Sequence, residues 1–270
     1  MPARMRMFVR TLVTLGSLVV AGVLVGPSVP AQTGDPVAQA LVERVIAAHG
    51  GLEAWTRLQD LSFTSTRVTL TPAGDVTGAR VSLHLLKRPD KSRVETLTGQ
   101  GLLIEGFDGR RAWVTLAGQP DQSPAALTRA HFQAVNWWYW MGIPFKLKDP
   151  GVIVRHAGTA TVQGQPVEML DVTFRPGVGL TSDHFTYYVD PASAHIRAVR
   201  VELQPGVWPG VGGGPPSWSA WDGYRTVGPF TIHTRRIQYA DPELTERRSI
   251  ALFGDFRIDS HLPDRLFTAP

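Results

Sequence analysis

"HFTYYVDPASAHIRAVRVEL", residues 184–203, sets two β-type runs on either side of Asp190-Pro191. In the second run Val199, Val201 and Leu203 alternate with Arg200, Glu202 and the following Gln204. A period of two puts one face of a strand against a core and the other in water. Asp-Pro opens a turn between them. The stretch therefore predicts strand, turn and antiparallel strand.

The same pattern extends over most of the chain. From Leu61 onward, β-branched and aromatic residues are separated by turn signals at short, fairly regular intervals. In "ARVSLHLLKRP", residues 79–89, Val81, Leu83 and Leu85 share one face, and that face is expected to be the buried one. Hairpins are signalled at Asp108-Gly109, between "LLIEGF" and "RRAWVTL", and at Gly164, between "GTATV" and "PVEMLDVTF". These runs make about ten or eleven strands, too many and too evenly spaced for an α/β fold. Three stretches depart from the pattern. "DPVAQALVERVIAAHGG", residues 35–51, reads as a helix capped by Asp35, with Pro36 at its first position, Val37, Leu41, Val45 and Ala48 at helical spacing, and a stop at Gly50-Gly51. "LEAWTRL" adds a short helical turn. "SPAALTRAHFQAVNWWYWMG", residues 123–142, predicts a second long helix from Ser123 and Pro124. "QPGVWPGVGGGPPS", residues 204–217, is too rich in Gly and Pro for either element and predicts a long loop, a connector or a flap. No fixed-period repeat or sharp composition break marks a second domain.

An amphipathic helix, antiparallel strands, a mid-chain helix and more strands resemble the LolA/LolB-like family of periplasmic lipoprotein carriers and their lipid-binding relatives. The likeness is carried by the strand, Asp-Pro turn and strand of residues 184–203, and by "AHGGLEAWTRLQDLSFTSTRV", residues 48–68, similar to the start of exported proteins of that superfamily. The resemblance implies a mainly β fold with α elements (α+β): one curved antiparallel sheet, a half-barrel over residues 32–270, with helices plugging an apolar concave face that holds acyl chains. It also implies an arginine that holds a closed state. Arg67 and Arg93 are candidates by location, although an arginine on a strand usually faces solvent.

Location is read from the first residues. Arg4, Arg6 and Arg10 lead into the apolar run "TLVTLGSLVVAGVLV", followed by Pro27 and the small-residue site Val29-Pro30-Ala31. Residues 1–31 are expected to be a cleaved signal peptide and the mature chain to be periplasmic. The apolar run would span only about 22 Å as a helix, against a hydrocarbon core of roughly 30 Å. Cleavage removes three of 27 basic residues and none of 23 acidic ones, so the formal charge falls from +4 to +1. A near-neutral chain without Lys/Arg clusters lacks the footprint of a nucleic-acid binder. With no cysteines, stability must come from a large core.

"VNWWYWMGIPFKLKDP", residues 135–150, concentrates Trp137, Trp138, Trp140, Met141 and Phe145. Successive helical residues step by about 100°, so the rings cannot share one stripe. They either plug the core of the sheet or form a lid over a lipid cavity whose mouth suits amphipathic rings. Lys146 and Lys148 are near enough to meet an anionic headgroup, or are simply solvated. Leu83, Leu85, Trp113, Phe185, Tyr187 and Phe230 are the further candidate lining residues. Eight histidines show no HExxH pairing and no thiolate partner, so no metal is expected. There is no GxSxG elbow, no nucleophilic cysteine and no phosphate loop, and no cofactor is implied. The expectation is a non-catalytic binder or carrier of lipid or lipoprotein acyl chains. The alternatives are an envelope protein–protein interaction module with a filled core, and a hydrolase whose site assembles from separated strands.

Overall fold

The computed structural model describes residues 35–178, 183–204 and 214–270. The expected signal peptide and the central part of the Gly/Pro-rich stretch lie outside them. The described elements in chain order are α1 (Pro36–Ala48), α2 (Leu52–Arg57), β1 (Asp60–Leu70), β2 (Val76–Lys87), β3 (Lys91–Thr98), β4 (Gly101–Phe107), β5 (Ala112–Leu116), β6 (Gln119–Pro120) and α3 (Pro124–Gly142). After a 3-10 turn, Phe145–Lys148, follow β7 (Val152–Val162), β8 (Gln165–Phe174), β9 (His184–Val189), β10 (Ile196–Glu202), β11 (Ser217–Asp222), β12 (Arg225–Val227), β13 (Phe230–Ile232), β14 (Arg235–Tyr239) and β15 (Arg247–Ile258).

Thirteen strands form one curved, unclosed antiparallel sheet in the order β6-β5-β4-β3-β2-β1-β15-β14-β11-β10-β9-β8-β7. β12 and β13 pair separately as a hairpin. The fold class is as expected, but the strand count exceeds the ten or eleven read from the sequence. The excess includes β6, β12 and β13, of two or three residues each, too short to carry an alternation. The β7–β8 turn has Gln163 at φ 48° and Gly164 at φ 75°, the double positive φ of a type I′ hairpin. Between β9 and β10, Asp190 Oδ1 accepts the backbone N–H groups of Ala192 and Ser193 at 2.9 and 2.8 Å. Arg197 Nε donates to the other oxygen at 2.6 Å.

The topology dictates where α3 goes. β6 ends at one edge of the sheet and β7 begins at the other, so the segment between them must cross the sheet. Its N-terminal half comes close to β4 and β5 because the contacting residues are small: Ala126 and Ala130 pack against Val114. Arg129 Nε donates to the buried Glu105 of β4 at 2.7 Å and fixes the register. The C-terminal half sits in the main core with α1, whose inward stripe is Ala38, Leu41, Val42, Val45 and Ile46. Val37, expected on that stripe, is 52% exposed.

One face assignment is reversed. On β2, Ser82 and His84 face the concave core, while Val81 and Leu83 point to the convex side and are 58% and 37% exposed. His84 stacks on Phe63 at 4.5 Å between centroids and its ring lies 4.1 Å from that of Trp137. Leu85 is buried on the convex side, in a cross-strand row with Arg93, Gly106 and Trp113. The C-terminal segment covers that row: Trp113 Nε1 donates to the Phe267 carbonyl at 2.7 Å, and Arg93 Nη1 to that of Leu266 at 3.0 Å. Gly106 is required there, since a Cβ would stand 2.1 Å from the indole of Trp113.

Candidate functional site

Successive rings of α3 depart in different directions. Trp137 packs on Phe63, His84 and Phe253, at the centre of the sheet. Trp138 meets Trp55 edge-on and its Nε1 donates to the Lys91 carbonyl at 3.0 Å. Both are buried and act as a plug. Tyr139 and Trp140 are half-buried and turn towards β8–β11. There, beside the plug, the sheet retains a cavity of about 330 Å³.

Its walls and floor differ in chemistry. Phe174, Phe185, Val201 and Leu203 form an apolar wall, and Phe132, Val135, Tyr139 and Trp140 of α3 close the roof, with Val135 exposed at the mouth. The floor is polar and comes from strands around the middle of the sheet. Arg67 of β1 and Arg236 of β14 face the same residue, Ala251 of β15, from either side. They are therefore two strand spacings apart, about 10 Å along the sheet. Ser219 and Gln238 occupy the next row.

The two guanidiniums are held differently. Arg67 Nη1 donates to Gln238 Oε1 at 2.9 Å and to Ser249 Oγ at 3.2 Å. Arg236 is only 5% exposed and lies between rings: its Cζ is 4.8 Å from the Trp140 and Trp221 centroids and 5.5 Å from that of Phe253. Its Nη2 lies 3.2 Å from His233 Nε2, and its Nε is buried without a hydrogen-bond partner. Arginine only donates, so His233 Nε2 accepts and that imidazole is neutral. Burial, reinforced by Arg236, holds His233 well below the usual histidine range. Burial, and secondarily Arg67, push Arg236 down to about 9, which leaves it charged at neutral pH. Among the described residues neither arginine forms an ion pair. Asp183, the one carboxylate on the cavity lining, accepts the Gln204 backbone N–H at 3.1 Å.

Of the lining residues expected from sequence, Trp140 and Phe185 border this cavity. Tyr187 is fully buried beside it, with its hydroxyl 2.8 Å from that of Tyr139. Met141, Phe145 and Phe230 lie on the other side of the plug, where Phe145 stacks on Trp55 at 5.0 Å beside a much smaller cavity of about 20 Å³. Leu83, Leu85 and Trp113 are on the convex face. Lys146 pairs with Asp149 at 3.0 Å, and Lys148 with Glu43. Arg93, one of the two candidate arginines, pairs with Glu95 on the convex side at 2.7 Å. Tyr139, Phe174, Arg236 and the serine and glutamine floor were not read from the sequence as site residues. No three His, Asp or Glu side chains converge as metal ligands among the described residues.

A curved, unclosed sheet plugged from its concave side is the LolA-like fold. A LolA superfamily protein from Nitrosomonas europaea superposes with a TM-score of 0.55 at 14% identity, over 86% of this chain and 97% of that one. A DUF1329 family protein from Desulfovibrio piger gives 0.53 at 11% identity, over 87% and 98%. A putative outer membrane lipoprotein-sorting protein domain from Vibrio parahaemolyticus gives 0.50 at 11%, over 86% and 97%. A family of unknown function, DUF6503, matches residues 121–203, which hold the roof and all four residues of the apolar wall but neither floor arginine. No curated protein matches the chain in sequence.

Proposed function

We propose that this protein is a periplasmic, non-catalytic binder or carrier that shields an acyl chain of a lipid or lipoprotein in the cavity between α3 and the sheet. The observation that carries the reading is the cavity itself. Beside the packed core of the concave face, about 330 Å³ stays open among the described residues against four apolar wall residues. That is at the small end of the roughly 300–1,000 Å³ typical of ligand pockets, so it suits one chain or a chain end. Removing apolar surface from water at about 25 cal/mol per Å² supplies the drive without a cofactor. The fold shared with a LolA superfamily protein and a lipoprotein-sorting domain, and the leader pattern of residues 1–31, support the export route and the ligand class.

Native mass spectrometry of protein purified gently from the periplasm is expected to show adducts of lipid mass that organic extraction removes. Protein that carries no adduct and binds no added acyl probe would rule the reading out.

A second reading, a docking module for an envelope protein, is favoured by one surface feature. Leu97 and Leu102 face each other across β3 and β4, and with Val81 and Leu83 of β2 they leave an exposed apolar strip on the convex side. Leu97→Asp tests it. Loss of a co-purifying partner with retained probe binding would place that role beside the cavity rather than in it.

A further inference from the structure

The floor narrows the ligand beyond an acyl chain. Charges removed from water are costly unless paired. The rings around Arg236 offset part of that cost through their π faces. They leave its Nε without an acceptor, and no carboxylate of the described residues pairs with either floor arginine. Two like charges on one floor also repel each other across Ala251, the row that joins them. A purely apolar guest would leave every one of these terms unbalanced. An anion beside the arginines would balance them together, and the apolar wall begins where the polar rows end.

We propose that the cavity takes a single-chain amphiphile with an anionic head, carboxylate or phosphate, held between Arg67 and Arg236 while its chain lies against Phe185, Val201 and Leu203. The inference rests on the acyl-binding reading and adds the head to it. Arg67 supplies the approachable donors, since it is half-buried and, among the described residues, hydrogen-bonded through Nη1 to Gln238 and Ser249. Arg236 supplies the fixed charge, locked by its rings and by His233. Tyr139 and Trp140 cover the junction of head and chain.

Titration calorimetry of the mature protein with decanoate, decyl phosphate, 1-decanol and decyltrimethylammonium, all below their micelle concentrations, tests this. Charge-assisted hydrogen bonds to a buried guanidinium should make at least one of the two anions bind about 10- to 100-fold tighter than the alcohol. Comparing decanoate with decyl phosphate tells which head the floor fits. Arg67→Gln should narrow the anion-to-alcohol ratio by about tenfold. Arg236→Gln should narrow it as well, and the wild-type ratio decides the matter if that core variant does not fold. Equal affinity for acid and alcohol, or a preference for the ammonium compound, overturns the anionic head and leaves an apolar binder. No binding by any of the four overturns the acyl-binding reading too.

Discussion

His84 shows how much a single side chain can depend on its neighbours. It lies on the concave face against Phe63 and Trp137, with Nε2 2.8 Å from Ser65 Oγ. Burial lowers its pKa to about 3, and that of His49, buried against α1, to about 4. In the unfolded chain both titrate near 6.5. The unfolded state therefore binds more protons between those values, and stability present above pH 6.5 is lost as pH falls towards 4. Each histidine contributes up to about a tenfold drop in the folding equilibrium per pH unit over that window. Thermal melts at pH 7.5, 5.5 and 4.5 should show Tm falling throughout, and a flat profile would contradict the neutral, buried assignment. The alternation of β2 was legible, but the buried face was not, because "VSLHLL" offers leucines on one side and a serine and histidine on the other. Hydrophobicity chose the leucines. The outcome depended on the C-terminal segment covering Leu85 from the convex side and on aromatic rings receiving His84 inside. Arg236 was invisible for the same reason, since "RRIQY" looks like an ordinary solvent-facing alternation.

At the scale of the element, α3 divides the aromatic cluster into two roles along one turn. The start, proline and length of this helix were readable, as was the need for its rings to point in several directions. Which ring meets core and which meets space depends on where the helix lies across the sheet. Trp137, in contact with three rings at the centre, is a packing residue. Trp137→Ala should cost about 3–5 kcal/mol, seen as a lowered urea midpoint. Trp140 is half-buried at the cavity, with Nε1 donating to Asn136 at 2.7 Å. Trp140→Ala is expected to reduce affinity for a fluorescent acyl probe at least as strongly as it reduces stability, with binding measured per folded molecule. Unchanged probe affinity in Trp140→Ala would remove that residue from the site.

For the whole molecule, the decisive contact is between the first strand and the last. β1 pairs with β15 in the middle of the sheet, so the two flanking sets of strands are joined by residues almost 200 positions apart in sequence. A chain ending at Glu246 lacks that strand and the segment over Trp113, and it should show no cooperative unfolding transition by circular dichroism. A retained sharp transition would mean that one flank folds alone. The Arg67–Ala251–Arg236 row is another product of this closure, with each residue on a different strand. By itself the sequence determined the local matters: period-two strands, the turns at Asp190-Pro191, Asp108-Gly109 and Gly164, two capped helices, and a mainly β composition. Those follow from spacing and from backbone preferences that act within a few residues. The faces of the strands, the split of the tryptophans between plug and cavity, and the two arginines on the cavity floor were decided only by tertiary structure. Burial is a property of what lies across the sheet, and those partners are far away along the chain.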